Sequence, residues 1–353
     1  MFHQNTKWIT SGKINDKRCS LPPEVYQKIF PVEKMPQKAI LTITALGIYE
    51  AKINGSRVGD YFFTPGYTNY KKHIQVQEYD VTELLFQGNN TIEITIANGW
   101  YLGRIGNQSN VYGNSRAVIA ELNIDDNILA TDDTWQVTFD GNIRFADFYD
   151  GETIDNNKTI KTFQNAVLFR GFTPNLLPHY GAFVCAHETF APVKSWHGKK
   201  GTIYDFGQNF SGIVKLKLKA ETGTNVKVKH AEIVIDNEIF TKNYRSAKAE
   251  SNLICRGGEN ELFPTFTFAG FRYVEVTSDK PIEVMSIEGV ALYSEMAKRG
   301  LFFCSDERLN KLQSCLVWSM KSNYVDIPTD CPQRDERLGW TGEACIFART
   351  ACF

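Results

Sequence analysis

The 353-residue sequence has no run approaching the roughly 18 apolar residues that a membrane span needs. Its opening residues, MFHQNTKWIT, show no apolar stretch behind a basic one, so no secretory signal is read there. Neither sign of charge is in excess: 39 Lys and Arg face 40 Asp and Glu, a formal net charge of -1. That balance argues against a nucleic-acid partner, which calls for a basic excess or patch. Eight cysteines are present (Cys19, Cys185, Cys255, Cys304, Cys315, Cys331, Cys345 and Cys352), yet none forms a Cys-x-x-Cys pair. The usual zinc and thioredoxin-like spacings are therefore missing. Free thiols in a reducing cytosol are expected, in a cytoplasmic chain with no metal, no cofactor and no membrane partner.

Aromatic residues are plentiful: 24 Phe, 15 Tyr and 6 Trp. They suit all-β cores and sugar-stacking surfaces. The length exceeds what one hydrophobic core usually serves, so two or three domains are expected.

From Ala39 to about Phe139 the pattern is β. Leu41, Ile43 and Ala45 alternate with polar or small neighbours, as do Ile92, Ile94 and Ile96. The segment Ile48 to Ile53 runs into Asn54-Gly55, a hairpin signal because both central turn positions need positive φ. Val118, Ala120 and Leu122 suggest another short strand, and Trp135, Val137 and Phe139 a further one. Short strands with turns between them read as a sandwich or jelly roll. An irregular stretch from about Asp150 to Gly201 leads to a second β unit. There Val214, Leu216 and Leu218 alternate with Lys215, Lys217 and Lys219, and Val226 and Val228 with Lys227 and Lys229. One apolar face and one lysine face describe a sheet with a solvated side; an anion-binding face is the alternative.

After Gly300 the period becomes helical. Ser305 or Asp306 can cap a helix with Leu309, Leu312, Leu316 and Met320 on one face, ending before Pro328. A polar loop from Thr329 to Gly342 precedes a second apolar segment, Glu343 to Phe353, where Ala344, Phe347, Ala348 and Ala351 share a face. Both faces are expected to pack on the β domains or to invite association with other copies.

That polar loop holds four carboxylates, two arginines and a tryptophan from Asp330 to Glu343. Carboxylates this dense repel one another unless arginines screen them, which can separate their pKa values as acid–base work requires. The tryptophan offers a flat apolar face to the C–H groups of a sugar. A control lies nearby: Asp306-Glu307-Arg308-Leu309 repeats the letters of Asp335-Glu336-Arg337-Leu338 in the first turn of a helix, where acids complement the helix dipole. Four letters decide nothing, and the surrounding residues must.

Thr329-Asp-Cys-Pro-Gln-Arg-Asp-Glu-Arg-Leu-Gly-Trp-Thr-Gly342 resembles the signature of bacterial α-L-rhamnosidases, glycoside hydrolase family 78. Ala45-Leu-Gly-Ile-Tyr-Glu-Ala-Lys-Ile-Asn-Gly-Ser-Arg-Val-Gly-Asp60, Pro65-Gly-Tyr-Thr-Asn-Tyr70, Asn98-Gly-Trp-Tyr101 and Tyr149-Asp-Gly-Glu152 resemble the family's N-terminal sandwich. Tyr204-Asp-Phe-Gly-Gln-Asn-Phe210 and Phe268-Ala-Gly-Phe-Arg-Tyr-Val-Glu-Val276 resemble its second β domain. The resemblance implies a mainly β fold: two β-sandwich domains (jelly-roll, galactose-binding-like), at 1–165 and 166–298, followed at 299–353 by the first helices of an incomplete (α/α)₆ barrel.

It also implies chemistry on rhamnose-containing glycosides. Glu336 matches the general acid, and Asp330, Arg334, Trp340 and Glu343 match positions that contact the rhamnose ring. Position 343 is usually Asp in the family. The extra methylene moves the carboxylate by about 1.5 Å and puts its contact with the sugar in question. Arg337 is expected as a structural ion-pair partner, and Cys331 is not expected as a nucleophile because no motif pairs a His with it. These enzymes invert, which requires a second carboxylate about 6.5–9.5 Å from the first. The resemblance places that base beyond Phe353, so little or no turnover is expected from the sequence as it stands. The competing expectation is a carbohydrate-binding sandwich without chemistry, with Trp100, Tyr101 and Arg104 in a binding loop; alternatively Trp100 plugs the sandwich end.

Overall fold

A computed structural model describes residues 2–16 and 20–352. Cys19 and Phe353, named in the expectations above, lie outside the described residues. The protein is mainly β, and it divides into two compact units interleaved along the chain. The first comprises 1–104, 108–147 and 158–181; the second comprises 105–107, 148–157 and 182–353. The passage between β units expected near 165 is thus made more than once: 148–157 belongs to the second unit, and the chain then returns to the first.

In the first unit two sheets enclose one core. One sheet runs in the order Val167–Leu168, Ile9–Thr10, Ala117–Ile124, Ala39–Leu46, His73–Asp80 and Asn175–Pro178. The other runs Gln164–Asn165, Gln136–Thr138, Glu24–Val32, Gly88–Ala97, Ile48–Ile53 and Ser56–Arg57. The alternation read from the sequence is the pleat. Leu41, Ile43, Ile92, Ile94 and Ile96 all point into the core with Tyr26 and Trp135. Asn54 (φ 53°) and Gly55 (φ 80°) turn the tight hairpin between Ile48–Ile53 and Ser56–Arg57. That double positive φ is what the Asn-Gly pair supplies at low steric cost.

In the second unit the hydrogen-bonded path is Gly151–Asp155, Glu250–Ile254, Asn225–Ala231, Ala269–Ser278, Thr202–Ala220, Ile282–Ser294 and Val184–Phe190. The 19-residue strand Thr202–Ala220 is its spine. The register of this strand against Ala269–Ser278 shifts between Asp205 and Phe210, an irregularity of the kind that bends a sheet. The lysine face is not an open anion site. Lys227 and Lys229 meet Glu250 at 2.9 and 3.3 Å, and Lys215 meets Glu261 at 3.6 Å. These three lysines are matched by glutamates from neighbouring strands, as on a solvated sheet surface.

His230 lies within this unit's core. Its ring stands edge-on to Phe271 with centroids 4.8 Å apart, and its Nδ1 lies 2.9 Å from the Ala249 carbonyl oxygen. Burial pushes its pKa down from the ordinary 6.5 to about 4. Above 6.5 the imidazole is neutral in both the folded and the unfolded chain. Between 6.5 and 4 the unfolded chain takes up a proton that the folded chain does not, so stability falls as pH falls through that window. The loss on crossing the whole window is about 3 kcal/mol. Urea midpoints measured from pH 7 to pH 4 are expected to fall accordingly. His230→Gln is expected to flatten that slope, and an equal slope in the variant would remove His230 as its source.

Two helices follow the β strands: α2 (Glu307–Asn323) and α3 (Thr341–Ala351), numbered after the single turn α1 (Gly99–Leu102). Asp306 caps α2 by accepting from the Arg308 N–H at 2.9 Å, the role read for the first Asp-Glu-Arg-Leu copy. Of the two alternatives for the leucine face, packing on the β units does not hold at its first two positions. Leu309 and Leu312 are about half exposed, whereas the opposite side of α2 meets the sheet, with Trp318 edge-on to Phe190 at 5.5 Å. Ile346 of α3 is also exposed. Among the described residues no helix is long and apolar enough to cross a membrane. All seven described cysteines are free thiols.

Candidate active site

The loop between α2 and α3 is fixed by buried contacts to the second unit's sheet. Gly270 opens the place for it: a Cβ there would lie 2.6 Å from the Pro332 ring, and the Gly270 N–H donates to the Pro332 carbonyl at 3.0 Å. This close approach accounts for the glycine in the Phe268-Ala-Gly-Phe-Arg-Tyr273 motif. Two residues on, Arg272 forks onto Asp205 with bonds of 2.8 and 2.9 Å, tying that motif to Tyr204-Asp-Phe-Gly207. Asp335 is buried and accepts from the Ser246 N–H at 3.1 Å and from the Ser246 hydroxyl. The Tyr149 hydroxyl donates to the Glu336 carbonyl at 2.8 Å, and Glu152 accepts from the N–H groups of Thr265 and Phe266 at 3.1 and 2.8 Å. Tyr149-Asp-Gly-Glu152, an N-terminal motif by resemblance, therefore sits in the second unit and supports this loop.

Arg337, expected as a structural partner, also serves backbone carbonyls and rings. It is buried at positive φ (48°), and its Nη1 donates to the carbonyls of Phe148 at 2.5 Å and Phe268 at 2.7 Å. Its guanidinium lies over the Phe268 and Tyr149 rings at 4.7 and 5.3 Å. A guanidinium suits this place because its planar fork can satisfy carbonyls at its edge while its face stacks on rings.

With those anchors set, Glu336 is almost fully buried (6% exposed) and its two carboxyl oxygens are held separately. One accepts from the Trp340 indole N–H and from the Leu338 N–H at 3.4 Å. The other accepts from the Cys331 thiol at 3.4 Å. Arg334 donates through Nε to the Cys331 sulfur at 2.9 Å and reaches Asp330 through Nη2 at 3.4 Å. Glu336, Asp330, Arg334 and Trp340 therefore converge, with Trp340 47% exposed and free to cover a ligand with its ring. Glu343 does not join them. It is exposed in the first turn of α3, and among the described residues no hydrogen bond links it to the group.

Asp330, Cys331 and Glu336 bring ligand-type atoms within 4.8 Å of one another. Donors from Arg334 and Trp340 already meet those atoms, so the cluster is built around hydrogen bonds and fits a cation poorly. Beside the loop is a cleft of about 320 Å³ lined by Asp330, Cys331, Asn209, Glu232 and Trp318. Burial pushes the Glu232 carboxyl up from its ordinary value, and Asn209 donates to it at 2.9 Å. Cys331, Tyr149 and Asp335 were not foreseen as members of the site. A signal existed for Cys331, which stands three and five residues before its partners Arg334 and Glu336.

The alternative sugar loop is corrected. Trp100 stacks on Tyr67 at 5.7 Å and meets Phe63 edge-on at 6.2 Å, while Tyr101 meets Tyr70 edge-on at 5.4 Å. Both are 5–6% exposed. Both rings are packed against other aromatic rings. Arg104 is half-buried, with its backbone N–H 3.5 Å from Asp147.

Family models agree with this reading of the chain. The alpha-L-rhamnosidase N-terminal domain matches residues 34–170, the bacterial alpha-L-rhamnosidase concanavalin-like domain matches 196–293, and the bacterial alpha-L-rhamnosidase 6 hairpin glycosidase domain matches 297–353. A curated alpha-L-rhamnosidase of Formosa agariphila is 36% identical over 94% of this chain, which covers 38% of that protein. The crystal structure of native α-L-rhamnosidase from Aspergillus terreus superposes with a TM-score of 0.92 at 34% identity, covering 99% of this chain and 43% of that one. That of Streptomyces avermitilis alpha-L-rhamnosidase complexed with L-rhamnose gives 0.89 at 33% identity, covering 94% and 34%. The chain therefore spans between 34% and 43% of the length of these relatives. With its mainly β architecture and its Thr329–Gly342 signature, the chain belongs to the bacterial α-L-rhamnosidase family.

Proposed function

We propose that the loop from Thr329 to Glu343 is the sugar-holding and proton-donating half of a site that hydrolyses terminal α-L-rhamnose from rhamnose-containing glycosides. One observation carries this reading: Glu336 is buried and oriented by donors on each oxygen, while Asp330, Arg334 and an exposed Trp340 ring stand around it. Once it has taken up a proton, Glu336 gives it to the glycosidic oxygen as the bond to the anomeric carbon breaks, and the aglycone leaves neutral. The indole face of Trp340 covers the sugar's C–H groups and methyl. Asp330 and Arg334 bond its hydroxyls. The L-rhamnose complex of the Streptomyces avermitilis relative supports the choice of sugar.

Inversion needs a base to activate water on the opposite face of the ring. Asp330 lies within 4.8 Å of Glu336, nearer than the roughly 6.5–9.5 Å that leaves room for that water. Asp330 is thus assigned to holding sugar, and the base comes from outside the loop. Sugar binding can be tested without it. Calorimetry with L-rhamnose is expected to show saturable heat, weakened about tenfold in Trp340→Ala, near the 1.4 kcal/mol scale of one covered ring face. An unchanged affinity would remove Trp340 from the site.

A further inference from the structure

We propose that Cys331 is a positioning residue for Glu336, coupling the sugar-contacting Arg334 to the acid through its sulfur. The inference rests on the reading of Glu336 as the acid, but its geometry stands apart from that reading. The sulfur has two partners on opposite roles: it accepts from Arg334 Nε at 2.9 Å and donates to Glu336 at 3.4 Å. An arginine N–H occupying the sulfur lone pair leaves the S–H to turn toward the carboxylate. The thiol must stay protonated for this, since a thiolate would repel Glu336. Burial, with the Glu336 charge second, pushes the Cys331 thiol up to about 11, so at neutral pH it is a donor.

The Nη2 of the same Arg334 reaches Asp330. One guanidinium therefore spans the sugar-holding carboxylate and the sulfur that fixes the acid. Any sugar hydroxyl that draws Arg334 toward itself pulls on the thiol and, through it, on one carboxyl oxygen of Glu336. Trp340 holds the other oxygen, so the acid is clamped between a fixed donor and one that responds to Arg334.

The test is the alkylation rate of Cys331 by iodoacetamide, resolved by peptide mass spectrometry on the native chain at pH 7 to 10. Removing the carboxylate removes its repulsion of a thiolate and the S–H bond. Glu336→Gln is expected to raise the rate at pH 8.5 about tenfold, one pKa unit, and to move the pH profile down by the same amount. Arg334→Met, which removes a cation, is expected to slow alkylation. If circular dichroism shows that Glu336→Gln is unfolded, Glu336→Asp takes its place, drawing the carboxylate back by about one bond length. Rates within twofold of the parent in the folded variants, or a parent profile at the ordinary thiol pKa, would overturn the coupling. That failure would leave the role of Glu336 standing. Conversely, measurable rhamnoside hydrolysis by the parent that persists unchanged in Glu336→Gln would sink the functional reading and leave the coupling intact.

Discussion

Whatever residual release of L-rhamnose from alkyl or glycosyl α-L-rhamnosides this chain supports is expected to fall in Glu336→Gln, by up to the roughly 10²- to 10⁴-fold that a positioned acid contributes. The amide keeps the shape of the side chain. Its carbonyl oxygen still accepts from the Trp340 indole, and its NH₂ faces the Cys331 sulfur where a carboxyl oxygen now lies. What the variant lacks is a proton to give. The loss must therefore depend on the leaving group. An alkoxide is a poor leaving group and needs protonation, whereas a nitrophenolate departs without it. Rates taken as ratios to the parent chain, on methyl and 4-nitrophenyl α-L-rhamnosides, are expected to show a large loss on the first and a loss of less than about tenfold on the second. Reading ratios keeps the comparison valid in a slow parent. Equal losses on both substrates would mean that Glu336 shapes the site without transferring a proton.

Much of this architecture is legible in the sequence because it is local. Period-two alternation places Ile92, Ile94 and Ile96 in the core, Asn54-Gly55 turns a hairpin, and Asp306 caps a helix. Each depends on residues a few positions apart. What the sequence does not disclose is set by topology. The hydroxyl that holds the Glu336 backbone belongs to Tyr149, 187 residues earlier, and the carbonyl that receives Arg337 belongs to Phe148, 189 residues earlier. No spacing rule joins such pairs. The lysine row was legible as a solvated face, but its partners Glu250 and Glu261, which reach it from other strands, were not. The helix α2 was legible only in part. Its leucine stripe marks an apolar face, but periodicity does not say which surface that face meets, and here the Trp318 side takes the sheet. Cys331 was passed over because catalytic cysteines are sought beside histidine, whereas its work is done through an arginine and a carboxylate.

Arg337→Met is expected to destabilise the second unit by about 3 kcal/mol and to release the site loop. Arg337 is 5% exposed, and its guanidinium supplies hydrogens to two carbonyls that face it inside the protein. Methionine matches the stem and can still rest against Phe268 and Tyr149, so the packing part of the interaction is largely retained. The hydrogen bonds are not, and the carbonyls of Phe148 and Phe268 are left buried without these donors. A charge-assisted hydrogen bond is worth roughly 1.5–3 kcal/mol, and two together set the scale. Arg337→Lys is expected to recover less than half of the loss, because a single ammonium cannot offer the planar fork or stack on the two rings in the same way. Urea denaturation followed by circular dichroism reads the stability, and limited proteolysis between Thr329 and Thr341 reads the loop. A stable variant with an unprotected loop would show that Arg337 orders the site alone. A variant as stable and as protected as the parent would mean that Tyr149, Asp335 and the Gly270–Pro332 contact suffice to hold Glu336 in place.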